Sequence, residues 1–285
     1  MRFLDVKTDF AFKKVFGSEG SKDILISFLN SMVLFSDGEV IEDLTIVDPY
    51  QIPLIKGMKD TYVDVKAKLS KGATVIIEMQ ILNVQGMEQR ILYNAAKFYS
   101  TQLVRGDRYH LLNPVIAITI TDFEMFPEFT DFKSNFRLTE KDHLIKYNGD
   151  IELIFIELPK FNKAENDLVN IIEKWVFFIK NAGSLEYIPE TLSEVPELFH
   201  AFSIANEAGL TLEEQDAQWK RRDFIMLQKG SIELAEKKGI EQGIEKGIEK
   251  GIEKVALEMI RDGELNDKIR KYTGLAVDEI EKLKS

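Results

Sequence analysis

Two stretches of strict alternation meet at one short turn, and no other pattern limits the fold of this chain so sharply. From Thr61 to Leu69, Val63, Val65, Ala67 and Leu69 fall on one side, and Tyr62, Asp64, Lys66 and Lys68 on the other. From Ala73 to Leu82, Val75, Ile77, Met79 and Ile81 alternate with Thr74, Ile76, Glu78 and Gln80. Successive side chains of a strand point to opposite faces, so both runs read as strands, and Ser70-Lys71-Gly72 reads as the turn of a β-hairpin. A three-residue loop with Gly72 in the left-handed region sets Leu69 against Ala73, and therefore Asp64 against Glu78. Directly opposed Cβ atoms lie about 4.5–5.5 Å apart. A five-residue loop would set Lys66 against Glu78 and Asp64 against Gln80. In either register these four polar residues share one sheet face.

The surrounding segments predict layers that would cover such a hairpin. Thr8 to Phe16 has Asp9, Phe12, Lys13 and Phe16 at helical spacing, with Gly17 as a stop. Ser21 to Val33 reads as a second helix, with Ile24, Phe28 and Leu29 on one face. Leu44 to Val47 reads as an edge strand ended by Asp48-Pro49. Gly86 to Val104 reads as a long helix with an apolar face of Leu92, Ala95, Ala96, Tyr99 and Leu103. The run Val115 to Ile120 is nearly all apolar, as for a strand covered on both faces. Phe136–Leu138 and Ile151–Leu158 read as strands, and Leu168–Lys180 as a helix. The order predicts a mixed α/β layer fold.

Two carboxylates opposed on a covered face would repel, and one would take up a proton unless a cation lay between them. The chain has no Cys and only three His, at 110, 143 and 200, without metal-ligand spacing. That excludes disulfides, thiolate zinc sites and cysteine nucleophiles. Oxygen ligands point to Mg²⁺, with Mn²⁺ and Ca²⁺ as the other candidates. The net charge of −11 argues at first against a polyanionic partner. Residues 1–110 are neutral, however, so the whole excess lies in residues 111–285. A polyanion site in the first part is therefore open, with tight binding expected only when divalent ions are present. No run approaches the roughly 18 apolar residues of a membrane span. The opening Met1-Arg2-Phe3-Leu4-Asp5 breaks its apolar run at once, unlike a signal peptide, so the expected compartment is the cytoplasm.

Asp64 followed by Ile77-Glu78-Met79-Gln80 resembles the PD-(D/E)XK nuclease signature in its E-x-Q variant. Lys7-Thr8-Asp9-Phe10-Ala11-Phe12-Lys13, with Phe16-Gly17 after it, resembles the opening of the Rpn family of recombination-promoting nucleases, also described as PD-(D/E)XK nuclease family transposases. Arg90 and Tyr93, and Gly106-Asp107-Arg108-Tyr109 ahead of the strand from Pro114 to Ile120, add to the match. The resemblance spans roughly residues 1 to 215. It implies a restriction-endonuclease-like α/β core with a mixed sheet flanked by helices, and metal-dependent hydrolysis of DNA phosphodiesters linked to recombination or DNA transfer. By resemblance, Asp64 and Glu78 would bind the metal, the Met79 carbonyl would add a ligand, and Asp9 would orient water or hold a second ion. Gln80 stands where the signature has lysine, and a neutral amide orients water but brings no charge. Lys66 is the expected substitute, with Lys68 as the alternative. Arg90, Tyr93 and Lys97 share a helix face and are expected to bind phosphate or orient the metal ligands, with Lys68 as a further phosphate contact. The competing reading is a degenerate nuclease fold that serves as an interaction protein and oligomerises through its tail.

A domain boundary is expected near residue 215, with a charged helical tail over 216–285. Residues 239–254 are the tetrapeptide repeat GIEQ-GIEK-GIEK-GIEK. Each interior Gly costs a helix about 1 kcal/mol relative to Ala, so an isolated helix here is doubtful. The stripe of Ile240, Ile244, Ile248 and Ile252 predicts self-association into a homo-oligomer. Glu264 to Lys284 reads as two short helices around Thr273-Gly274. Its Asp278, Glu279 and Glu281 make a poor recognition helix for DNA, so a small packing hairpin is expected.

Overall fold

A computed structural model describes residues 1–34, 40–51 and 61–284. The chain divides into two units, Met1–Arg222 and Asp223–Ser285. The first unit opens with helices α1 (Asp9–Phe16) and α2 (Lys22–Met32). Strand β1 (Leu44–Ile46), the short ribbon β2 (Tyr50–Gln51) and β3 (Thr61–Tyr62), and the hairpin β4 (Val65–Leu69) and β5 (Thr74–Gln80) follow. Then come α3 (Met87–Ser100), β6 (Val115–Thr121), β7 (Lys133–Arg137), β8 (Ile151–Glu157), α4 (Ile171–Asn181), α5 (Glu190–Ser193) and α6 (Pro196–Ala205).

Six strands form one sheet in the order β1-β4-β5-β6-β8-β7. The pairs β5–β6 and β6–β8 are parallel, and β1–β4, β4–β5 and β7–β8 are antiparallel. The hairpin adopts the three-residue loop. Val65 faces Ile77, Lys66 faces Ile76, and the Leu69 N–H donates to the Ala73 carbonyl at 2.9 Å. Gly72 has φ +95°, and a Cβ there would lie 2.3 Å from Asn113 Oδ1, so both conformation and space demand glycine.

The parallel strands occupy the middle because both of their faces are covered. All seven residues of β6 are buried. On one face, Val65, Ala67, Val75, Ile77, Met79, Ile118, Ile120, Ile154 and Ile156 join the main core with residues of α1, α2, α4 and α6. An aromatic chain runs through it: Phe12–Phe16–Phe28, then Trp175, Phe178 and Phe202, with ring centroids 4.7–6.0 Å apart. On the other face, α3 lays Ile91, Ala95 and Phe98 over Ile76, Val115, Ala117 and Phe155. The buried side of α3 is Met87, Ile91, Asn94, Ala95, Lys97 and Phe98, whereas Leu92 is 53 % exposed. The helix is thus turned from the orientation that its apolar residues suggested, and two polar side chains enter its packed face.

Helix α7 (Leu212–Arg261) begins in the first unit and supplies most of the second. It runs unbroken through the four repeat glycines, so strong helix formers around them outweigh their cost. Helices α8 (Asn266–Thr273) and α9 (Val277–Lys284) fold back as a hairpin, with Gly274 at φ +77° closing α8. Ile269 and Ile280 pack with Ala256 as a small core. Among the described residues no helix is long and apolar enough to cross a membrane.

Candidate active site

The alternation of the first hairpin strand breaks at Asp64. Val65, Ala67 and Leu69 face the main core, but Val63 packs beneath α3 with Ile76, Ala95 and Phe98. The phase therefore slips by one residue between β3 and β4, and the slip sets the Asp64 carboxylate at the sheet end. The Asp64 N–H still donates to the Ile77 carbonyl at 3.1 Å, and Asp64 Oδ2 accepts from the Met79 N–H at 2.7 Å. The carboxylate thus replaces the next main-chain acceptor of the ladder, which fixes it rigidly.

Asp64 and Glu78 both open on a cleft of about 820 Å³. Tyr62 and Gln80 complete its sheet side. Val84, Gln85, Gly86, Gln89, Arg90, Tyr93 and Asn94, from the loop after β5 and from α3, form the other. Glu78 is 5 % exposed and is held by three side chains. Asn94 Nδ2 donates to Oε1 at 2.6 Å, while Gln80 Nε2 at 3.0 Å and the Arg90 guanidinium at 3.3 Å share Oε2. Burial pushes the Glu78 carboxyl above its ordinary pKa, against the lowering effect of Asn94, Arg90 and Gln80. Asp64 is pushed up to about 7, first by burial and then by the hydrogen bond and charge of Asp9, with Met79 and Lys13 acting in the opposite sense. Burial would also raise Asp9, but its contacts with Asp64 and Lys13 outweigh that and hold it low. The carboxylate that acts on Asp64 is therefore Asp9.

A family model, PD-(D/E)XK nuclease family transposase, matches residues 6–235. The chain belongs to the PD-(D/E)XK nuclease family transposases. No curated protein and no solved structure matches it. The mixed sheet with flanking helices agrees with this family, and membership carries a nuclease-type function.

Within this nuclease fold, the structure brings together Asp64, Glu78, Gln80, Arg90 and Tyr93, all lining one cleft. Met79 joins through its N–H to Asp64. Asp9 and Lys13 approach Asp64 from α1, with Lys13 Nζ 2.9 Å from Asp9 and 3.7 Å from Asp64. Three of the expected residues lie elsewhere. Lys66 Nζ sits 4.9 Å over the Phe98 ring and does not line the cleft. Burial, helped by the charge of Lys68, lowers its pKa. Lys68 is exposed beside Thr45 and Thr74, and Lys97 is 3 % exposed in the packed side of α3. The position of Asn94 was not read from the sequence, although it lies four residues after Arg90 and so on the same helix face.

Among the described residues no group of three or more His, Cys, Asp or Glu side chains is placed to hold a metal ion. Asp64 and Glu78 would make a two-carboxylate donor set, buried where the charged form is disfavoured, at the wall of an open cleft. That set fits a hard divalent cation that keeps several water ligands, as Mg²⁺ does.

Proposed function

We propose that this nuclease hydrolyses DNA phosphodiesters with a divalent metal ion, Mg²⁺ first and Mn²⁺ or Ca²⁺ as alternatives, in a process of DNA recombination or transfer. The observation that carries the reading is the convergence of buried Asp64 and Glu78 on one cleft with Gln80 and Arg90 beside them. Asp64 and Glu78 would hold the ion, with the Met79 carbonyl as a further ligand. When bound, such an ion lowers the pKa of its water and offsets charge on the phosphoryl group. Gln80 is in place to orient water by hydrogen bonding once its amide leaves Glu78. Arg90 lines the cleft with a side chain that is 40 % exposed, and its guanidinium supports phosphate binding at the cleft wall. Tyr93, on the same wall, supports contact with the substrate.

Lys13 is a better source of positive charge than Lys66 or Lys68, because it alone of the three reaches Asp64. Asp9 then acts by holding Lys13 and biasing the protonation of Asp64. Plasmid DNA incubated with the full chain and Mg²⁺, Mn²⁺, Ca²⁺ or EDTA tests the proposal. Cleavage that needs a divalent ion and is abolished by EDTA is expected, and no metal-dependent cleavage would remove it.

A further inference from the structure

We propose that duplex DNA seated in the cleft runs on along the outer side of α3 to the loop of residues 103–112, where Arg105, Arg108 and Tyr109 hold its backbone. The proposal rests on the nuclease reading of the cleft. No Asp or Glu occurs from Gln89 to Gly106, where the chain's average of 48 in 285 would give about three. The outer side of α3 presents Gln89, Leu92, Tyr93, Ala96 and Ser100, all neutral and, towards the far end, small. Arg90 and Tyr93 mark the cleft end of this track. From Arg90 to Ser100 the helix rises about 15 Å, the length of about four to five base pairs at roughly 3.4 Å each.

The loop at the end of the track is built rather than slack. Gln102 clamps Asn113 across its base: Nε2 donates to the Asn113 carbonyl at 2.8 Å, and Oε1 accepts the Asn113 N–H at 2.9 Å. Within the loop, Gly106 at φ +102° and the Asp107 carboxylate, which accepts the Val104 N–H at 2.9 Å, fix a turn around Arg105. Arg108 follows, ahead of a short 3-10 turn over Tyr109–Leu111. Both arginines are exposed, and neither guanidinium has an ion pair or hydrogen bond among the described residues. Tyr109, beside them, is 85 % exposed. The hairpin turn that abuts Asn113 adds exposed Lys71, and Lys68 lies on the α3 side of the sheet by its parity with Lys66. Of the acids at this end of the sheet, Asp107 is engaged in the loop's own turn, and Asp150 is held by the Tyr99 hydroxyl at 2.7 Å and by Asn148 at 2.9 Å. Fixed guanidinium groups and a tyrosine hydroxyl are donors that bind DNA phosphates, and such contacts set the position of a duplex without reading its sequence.

Anisotropy of a fluorescein-labelled duplex of about 20 base pairs, titrated with the full chain in EDTA between about 25 and 200 mM KCl, reads binding without cleavage. Log affinity falls with log salt by about 0.9 for each phosphate neutralised, so Arg105→Gln/Arg108→Gln should make the slope shallower by about 2. Arg105→Lys/Arg108→Lys keeps both charges and should keep most of the slope, with circular dichroism confirming that both variants fold. The chain has no cysteine, so single cysteines carrying an aryl azide map the path of the DNA. Ser100→Cys and Tyr109→Cys should crosslink to the duplex. Ser203→Cys, exposed on α6 at the other face of the sheet, should not. An unchanged slope in the Gln variant, crosslinking at Ser203→Cys equal to that at the other two positions, or no binding by the unmodified chain at the lowest salt overturns the proposal. Cleavage that survives while the slope stays unchanged removes the α3 track alone. A shallower slope in a chain that does not cut removes the nuclease reading alone.

Discussion

Replacing Asp64 by Asn should stabilise the metal-free protein at alkaline pH while destroying its proposed activity. The Asp64 carboxyl is pushed from 3.8 to about 7 by burial and by Asp9. A shift of about 3 units, at about 1.4 kcal/mol each, caps the effect at about 4 kcal/mol. The folded-state pKa is raised, so the stabilisation is complete below the unfolded value near 3.8 and is lost as pH rises through about 7. An ionised Asp64 therefore costs the folded state most at pH 8 and least at pH 4.5. Asn cannot ionise, and its Oδ1 can still accept the Met79 N–H. Because Asp9 and Lys13 readjust, the expected gain at pH 8 is about 1–3 kcal/mol, shrinking towards zero at pH 4.5. Urea denaturation in EDTA at several pH values between 4.5 and 8.5 measures it. Mg²⁺ should then stabilise the unmodified chain at pH 8 and have little effect on the variant. A variant less stable than its parent at pH 8, or a gap that does not change with pH, would refute this account of Asp64.

Other substitutions separate the roles of neighbouring groups. Lys13→Met should lower DNA turnover at least about tenfold, a loss of roughly 1.4 kcal/mol, whereas Lys66→Met should leave turnover near normal; steady-state cleavage rates compare them. Asn94→Ala removes the 2.6 Å hydrogen bond to buried Glu78 and should cost about 1–3 kcal/mol of stability at pH 8, read by denaturant midpoint. Gly72→Val puts a branched side chain at φ +95° against Asn113 and should lower the melting temperature by several degrees, about 2–4 °C per kcal/mol for a unit of this size. Lys160→Met strands Glu157, which is 1 % exposed and otherwise held by the Met125 and Phe126 N–H groups. A loss of about 3 kcal/mol is expected from chemical denaturation.

The hairpin, its register and the strands around it were legible because a period of two and a glycine at the turn leave few alternatives. The parallel centre was legible for the same reason: Val115 to Ile120 is apolar at every position but Thr119, as a strand buried on both faces must be. What escaped was local geometry. Strict alternation put Val63 with Val65, and nothing in the residues signals the slip at Asp64 that sets the site. The face of α3 is not legible in its apolar residues because Asn94 and Lys97 are polar yet buried, and Leu92 is apolar yet exposed. For Lys66, shared parity with Glu78 was correct, but on that face Phe98 lies under its ammonium. Lys13 looked like an ordinary partner for Asp9 four residues earlier, and only the packing of α1 against the sheet end brings it to Asp64. Helices α5 and α6 carried no distinct signal, although α6 covers α1 and α2.

Asp64 and Glu78 are proposed to hold the ion that DNA cleavage requires. Supercoiled plasmid with Mg²⁺, incubated in parallel with the unmodified chain, Asp64→Ala and Glu78→Ala at equal concentration, tests it most directly. Nicked or linear product is expected with the unmodified chain alone, and none from it in EDTA. Equal cleavage by either variant, or product formed in EDTA, would contradict it.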